Sequence, residues 1–164
     1  MPVCSSNTST LPVSDNAMNI RRGVVAAASY EVRTFGVHSA MPTREALRRC
    51  PDAIVVHPRI GHYSAVSQQI FAVFHEFTPL VQGLSLDEAF LDVTASRALH
   101  GDGPSIAARI KREVRAETGL AVSAGVAEVK LAAKTATDLG KPDGLVVVPP
   151  GGVAAFLAPL PVGR

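Results

Sequence analysis

Apolar residues along the chain recur with a strand-like pattern in some stretches and with a helical period in others. Apolar runs that predict strands lie at 24–28, 54–56, 121–127 and 145–148. Helical periods bounded by Pro or Gly predict helices at 41–50, 63–78, 104–118 and from 130 to about 140. Residues 1–20 show neither period, and their polar Ser, Thr and Asn residues predict a disordered or loosely packed tail. The pattern as a whole predicts an α+β fold.

Two neighbouring carboxylates, Asp87 and Glu88, interrupt the apolar run between Leu80 and Thr94. In one regular strand their side chains would point to opposite faces, so we expect the chain to turn and to place both at the tip of a hairpin. Like charges held this close favour a bound cation, and oxygen-only ligands favour a hard ion such as Mg²⁺. A solvated hairpin tip, where Asp and Glu are common, explains the same spacing. The spacing alone leaves both interpretations open.

Composition narrows the class of protein without naming a function. The 164 residues suffice for one domain or a little more, and a hydrophobic share of 47% with few aromatics supports an aliphatic core. A net charge of +2 is mildly basic and does not by itself mark a nucleic-acid binder. Cys4 and Cys50 form neither a disulfide framework nor a metal set, which indicates free thiols in a reducing cytoplasm. No stretch has the pattern of a signal peptide or the length of a membrane span.

Three stretches together resemble one protein family. The string Ser-Leu-Asp-Glu-Ala-Phe-Leu-Asp-Val-Thr at 85–94 closely resembles the palm motif of the Y-family, or translesion, DNA polymerases, in particular the DNA polymerase IV-like branch with its UmuC domain. Residues 29–36 are similar to the family's Ser-Tyr-Glu-x-Arg-x-Phe-Gly stretch in the fingers. Residues 125–144 are similar to a third stretch, which ends in Lys-Pro-Asp-Gly. The resemblance covers roughly residues 21–164, with the three stretches in the family's order.

The resemblance implies an enzyme that copies damaged DNA in translesion synthesis and DNA repair, by nucleotidyl transfer with two Mg²⁺ ions. It implies that Asp87 and Glu88 are catalytic metal ligands, and that Tyr30, Arg33 and Lys141 hold the triphosphate of the incoming nucleotide. Without the resemblance, a packed Tyr and two solvated cations would be the default explanation of the last three residues. The implied partners are primer-template DNA and deoxynucleoside triphosphates, and a sliding clamp is a further partner in the full-length family. The implied location is the cytoplasm, and no membrane partner is implied.

The resemblance also implies a division into four segments. We expect residues 1–20 to form the tail, 21–79 a small helical fingers-like module, 80–150 a palm-like α+β domain, and 151–164 the start of a link to an absent thumb. The order of strands and helices after residue 80 is the later part of a ferredoxin-like layout, so we expect one sheet backed by two helices. The family opens with a further strand that carries another metal-binding Asp. Asp15 has no apolar strand around it, so this role is not transferred to it, and the expected palm sheet lacks its first strand.

Two functions of different classes are compatible with these features: the catalytic fingers and palm of a polymerase, or a non-catalytic truncated remnant that at most binds DNA or nucleotide weakly. A palm-type cyclase is a third alternative, against which the stretch at 29–36 argues. We expect the chain alone to be inactive, because no motif supplies a third carboxylate and Asp92 lies too far along the returning strand. Val129 stands where the family usually carries Asn, and Glu128 stands where Pro or a small polar residue is usual. These differences predict a local change in nucleotide or DNA contact.

Overall fold

A computed structural model describes residues 23–161, and the chain divides after His57 into two compact units. The described part of the first unit contains α1 (Tyr30–Arg33) and α2 (Thr43–Arg49). The described part of the second contains, in chain order, α3 (Ile60–Phe77), β1 (Val81–Gly83), β2 (Ala89–Leu91), α4 (Arg97–His100), α5 (Gly103–Thr118), β3 (Ala124–Val126), α6 (Lys130–Leu139), β4 (Leu145–Val147) and α7 (Val153–Leu157). Helices and short strands thus confirm the α+β fold class.

The first unit is built around a small core under α2. Its buried residues are Val37, Met41, Ala46 and Cys50. The strand expected at 24–28 is present only as an isolated bridge between Val24 and Pro42, before the chain turns into α1.

The strand expected at 54–56 does not form. Ile54 is 86% exposed and Val56 is 72% exposed, and neither belongs to a strand. Branched apolar residues favour strands only where a neighbouring strand pairs with them and buries one face. No described strand pairs with this run, so the propensity of its residues is not realised.

The second unit is held together by the contact between α3 and α5. Val73 and Phe77 of α3 pack with three buried residues of α5, namely Ile106, Ile110 and Val114. These positions carry the helical period seen in the sequence, so each helix buries one apolar stripe.

The ends of α5 follow from local residue choice. The Asp102 side chain accepts a hydrogen bond from the Ser105 backbone N–H at 2.9 Å and caps the first turn. Pro104 occupies the first turn, where its missing N–H is not needed. Gly119 ends the helix with a φ of 71°, in the left-handed region.

The strands form two separate pairs among the described residues. β1 and β2 are an antiparallel hairpin, in which Val81 pairs with Leu91 and Gly83 with Ala89. β3 and β4 are parallel and are connected by α6. The expected order of hairpin, helix, strand, helix and strand is present, but the expected single sheet is not, since no described strand hydrogen-bonds between the two pairs. Each pair therefore has free backbone edges within the described residues.

The packing of α3 sets the boundary between the compact units. The sequence predicts a boundary near residue 79, whereas the compact units divide after His57. Helix α3 belongs to the second unit because it buries Val73 and Phe77 against α5. The functional division into a fingers-like and a palm-like part stays a prediction. Among residues 23–161, no helix combines the length and apolarity needed to cross a bilayer.

Replacing Val129 with Asn should stabilise the protein. Val129 is the N-cap of α6, has extended backbone angles (φ −129°, ψ 144°) and provides no side-chain cap. An Asn side chain in this conformation accepts a hydrogen bond from the first turn, which is worth roughly 0.5–2 kcal/mol relative to an apolar residue. Urea unfolding of V129N, with V129A as the control for the lost Val side chain, measures the gain. A V129N midpoint equal to that of V129A would contradict the prediction.

Candidate metal and nucleotide site

The hairpin between β1 and β2 places Asp87 and Glu88 at its tip, as the sequence predicts. The backbone N–H of Leu84 donates to the Glu88 carbonyl at 2.9 Å, which closes the turn just beyond the last strand pair. The Ser85 hydroxyl donates to Asp87 Oδ1 at 2.7 Å. This bond orients one carboxylate, while Asp87 stays exposed and Glu88 is partly exposed.

A lysine from α6 contacts this tip. Lys134 Nζ lies 2.7 Å from Glu88 Oε1, and both side chains are partly exposed, at 44% and 40%. The hydrogen bond that Lys134 donates to Glu88 holds the pKa of Lys134 above its usual value, with smaller contributions from the negative charges of Asp138 and Asp87. The ammonium therefore stays protonated, and the carboxylate pair has a positive neighbour. Sequence reasoning missed this contact, although the i,i+4 spacing of Lys130 and Lys134 indicated a shared helix face.

Lys130 joins the same helix to the body of the hairpin. Its ammonium donates to Gln82 Oε1 on β1 and lies 5.5 Å from the centre of the Phe90 ring on β2. This contact combines a hydrogen bond with a cation–π interaction. It links α6, which belongs to the β3–β4 pair, to the β1–β2 pair.

Lys141 lies just after α6 and does not contact the carboxylate pair. Its ammonium is 2.8 Å from Asp138 Oδ1, one turn back along the chain.

The loop that carries Lys141 is anchored through Asp143. Asp143 Oδ1 accepts from Lys111 and Oδ2 from Arg115, both at 2.7 Å and both from α5. The hydrogen bond from Lys111 is the main reason that the pKa of Asp143 lies below its usual value. Lys111 also donates to the backbone carbonyls of Val122 and Asp143, so its ammonium is fully used in this contact.

Tyr30 and Arg33 form one preorganised group in the first unit. They lie three residues apart in α1, and the Arg33 guanidinium is 5.0 Å from the centre of the Tyr30 ring. Arg33 Nε donates to the Ala28 carbonyl at 3.0 Å, which fixes the direction of the side chain. The Tyr30 residue is 49% exposed. Among the described residues, the other guanidinium N–H groups have no hydrogen-bond partner.

Glu128 has a structural contact in the second unit, while the change in nucleotide or DNA contact expected at 128–129 stays a prediction. Its Oε2 accepts a hydrogen bond from the Gly151 backbone N–H at 2.8 Å. Gly151 has a φ of 72°, which a side chain would disfavour, and it begins the turn into α7. The carboxylate thus ties the loop before α6 to the segment after β4.

The donor set at the hairpin tip fits a hard divalent cation in its chemistry. Asp87 and Glu88 offer carboxylate oxygens only, the ligands that Mg²⁺ prefers, and Mg²⁺ usually binds through one or two carboxylates plus water and substrate phosphates. Within residues 23–161, no group of three or more His, Cys, Asp or Glu side chains could hold a metal ion. In the described part of the chain, the tip therefore brings two carboxylates together, and their role as metal ligands stays a prediction.

Comparisons with known proteins point to one family. The sequence matches the model of the impB/mucB/samB family over residues 3–138. DNA polymerase IV of Ralstonia nicotianae is 57% identical over 144 residues, which is 88% of this chain and 40% of the relative. DNA polymerase IV of Halorhodospira halophila is 53% identical over 143 residues, 87% of this chain and 40% of the relative.

Two solved structures share the fold. The insertion ternary complex of Dbh DNA polymerase has a TM-score of 0.78 at 37% identity and covers 86% of this chain and 41% of that one. The crystal structure of DinB from Sulfolobus solfataricus has a TM-score of 0.76 at 38% identity and covers 82% of this chain and 40% of that one.

Fold and sequence thus define a region of a Y-family DNA polymerase of the DNA polymerase IV-like branch, which confirms the resemblance. The chain belongs to the impB/mucB/samB family and spans about two-fifths of the length of the curated relatives it matches. The family match begins at residue 3, so it extends into the segment 1–20 that the sequence analysis left outside the resemblance. That segment, with Asp15, lies outside the described residues.

Proposed function

We propose that this chain forms the metal-binding and nucleotide-binding part of a DNA-directed DNA polymerase that acts in translesion synthesis and DNA repair. The observation that supports this most is the hairpin tip with two adjacent carboxylates, in a chain 57% identical to a DNA polymerase IV. The proposed substrates are deoxynucleoside triphosphates on a primer-template DNA. A DNA-copying enzyme works where the chromosome is, so the proposal includes a cytoplasmic location.

Each candidate residue has a role that suits its chemistry. Asp87 and Glu88 bind Mg²⁺ through carboxylate oxygens. When bound, such ions activate an attacking oxygen and stabilise a leaving one in phosphoryl transfer. Arg33 offers phosphate oxygens a planar fork of N–H donors, held in place by Tyr30 and the Ala28 carbonyl.

Tyr30 contributes a hydroxyl beside Arg33, and Lys141 contributes a point charge. Lys141 has to leave Asp138 to reach a phosphate, which is inexpensive because exposed ion pairs contribute only about 0–1 kcal/mol. Each of the three side chains would contribute to neutralising and positioning a triphosphate, which is what phosphoryl transfer requires of the protein.

Replacing Arg33 with Ala should weaken binding of a Mg²⁺-nucleotide about tenfold or more. Hydrogen bonds to a charged group are worth roughly 1.5–3 kcal/mol, and the side chain is preorganised, so little ordering entropy offsets the loss. Titration with a fluorescent deoxynucleoside triphosphate in Mg²⁺ measures the two affinities.

Arg44→Ala is the matched control. Arg44 is an exposed arginine of α2 in the same unit, so its loss removes the same charge from a different helix. We expect R44A to bind the nucleotide as the unsubstituted chain does. Equal affinities of R33A and R44A would remove Arg33 from the site.

A further inference from the structure

The contact between Lys134 and Glu88 is the strongest feature of the tip that the proposed function leaves unexplained. The two residues are 46 positions apart in sequence, and their side chains meet at 2.7 Å. The contact is therefore a product of the tertiary fold and not a neighbouring-turn pair within one helix. The contact holds the positive charge of the Lys134 ammonium beside Glu88 Oε1, which is one of the oxygens that a divalent cation would bind.

We propose that Lys134 is a built-in counter-ion of the carboxylate pair, which a divalent cation must displace from Glu88 in order to bind. This inference rests on the proposed metal role of Asp87 and Glu88. It assigns to Lys134 a role as a positioning residue, which competes with the metal and sets the affinity of the tip for it.

Electrostatics explains why the two cations compete. Without a cation, two adjacent carboxylates repel each other, and the ammonium of Lys134 offsets part of that repulsion. A Mg²⁺ ion bound to a carboxylate lies about 2.0–2.1 Å from its oxygen. An ammonium that stayed 2.7 Å from the same oxygen would be held a few ångströms from a doubly charged ion. That arrangement is repulsive, so one cation leaves.

The fold offers the displaced lysine another negative neighbour, the Asp138 carboxylate, whose Oδ1 already accepts from Lys141. Asp138 lies one turn further along α6 and four residues from Lys134, a spacing that lets the two side chains meet. Its carboxylate already contributes to the charge environment of Lys134. Lys134 can therefore leave Glu88 without losing all its negative neighbours, which keeps the exchange inexpensive.

The test measures divalent metal binding without any catalytic readout. Mn²⁺ is titrated into the 164-residue chain, and free Mn²⁺ is followed by electron paramagnetic resonance. Lys134→Met keeps the length and the apolar stem of the side chain and removes the charge. We expect K134M to bind Mn²⁺ roughly three- to tenfold more tightly, because a competing cation in a partly exposed site has been removed.

Two further variants separate charge from structure. Lys134→Arg keeps the positive charge and should bind Mn²⁺ as the unsubstituted chain does. Lys130→Met removes the same charge one turn earlier on α6, where the ammonium donates to the neutral Gln82, and should change the affinity by less than about twofold. If the role of Lys134 were only structural, K134M would change the unfolding temperature. Its Mn²⁺ affinity would then not exceed the affinities of the unsubstituted chain and of K134R.

The outcomes distinguish this inference from the proposed function. Asp87→Asn should abolish Mn²⁺ binding both in the unsubstituted chain and in the K134M variant. If D87N abolishes binding but K134M binds no more tightly than the unsubstituted chain, the role of Lys134 is wrong and the metal site stands. If the chain binds no Mn²⁺, or if D87N leaves its binding intact, both the metal site and the role of Lys134 are overturned.

Discussion

Replacing Gly125 with Ala should destabilise the second unit so strongly that its β3–α6–β4 segment no longer folds cooperatively. A Cβ at Gly125 would lie 2.1 Å from the Ala133 carbonyl oxygen and 2.6 Å from the Thr137 backbone nitrogen. Both are backbone atoms of α6, so no flexible side chain can move aside. The helix itself would have to shift away from the strand.

The shift would open the best-packed contact of this segment. Ala132 and Ala136 are completely buried where α6 lies against its neighbours, and their small side chains let the helix approach closely. Overpacking a core costs about 1–3 kcal/mol when side chains can adjust. Contact with backbone at this distance should cost about 4 kcal/mol or more, a large part of the roughly 5–15 kcal/mol that stabilises a typical domain.

Gly61→Ala is the matched control for this substitution. Gly61 lies in α3, and a Cβ there meets no atom within 4 Å. The same methyl group at this site should leave stability unchanged or raise it slightly, since Gly is a poor helix former. Thermal and urea unfolding of both variants make the comparison. A G125A melting temperature within about 3 °C of the unsubstituted chain, a shift worth roughly 1 kcal/mol, would show that α6 does not sit on β3 in this way.

The parts of the fold that sequence reasoning predicts are those specified by local residues. The hairpin follows from two apolar flanks around Asp87 and Glu88, because a strand cannot present both side chains on one face. Helix α5 follows from a first-turn Pro and a C-terminal Gly around one apolar stripe, whereas the Asp102 cap was not predicted. In these cases the information lies within a few residues of the feature it specifies.

The parts that the sequence leaves undetermined depend on distant partners. The spacing of Lys130 and Lys134 indicates a shared helix face, but the meeting of this face with the hairpin is a tertiary contact between residues far apart in sequence. The run at 54–56 has strand propensity, yet a strand also needs a neighbour. The prediction of the tip as a metal site depended on the family resemblance, since spacing alone also fits a solvated turn.

A polypeptide of these 164 residues should not extend a DNA primer. Two-metal phosphoryl transfer needs enough acidic ligands to hold both ions, and the described residues bring only Asp87 and Glu88 together. Asp92 does not join them, because its backbone N–H donates to the Leu80 carbonyl at the open end of the hairpin. Its Oδ1 accepts from the Thr94 backbone N–H at 2.9 Å, so the carboxylate is used locally.

The affinity for DNA should be low as well. The chain spans 40% of the length of its DNA polymerase IV relatives, and binding to duplex DNA depends mainly on the number of phosphates that a protein contacts. A net charge of +2 gives little long-range attraction to compensate. Primer extension requires metal and DNA to be bound at the same time. Weak binding of the metal and weak binding of the DNA each lower the rate of extension, and the two reductions multiply.

Primer extension with Mg²⁺, all four deoxynucleoside triphosphates and excess protein tests this expectation, with a full-length DNA polymerase IV relative as the positive control. The expected result is no template-dependent product from the 164-residue chain. Extension that disappears in Asp87→Ala would prove the prediction wrong, because it would require a third ligand beside the hairpin tip. Since the described residues supply none, that ligand would have to come from residues 1–22, where Asp15 is the first candidate, and Asp15→Asn would then abolish the activity as D87A does.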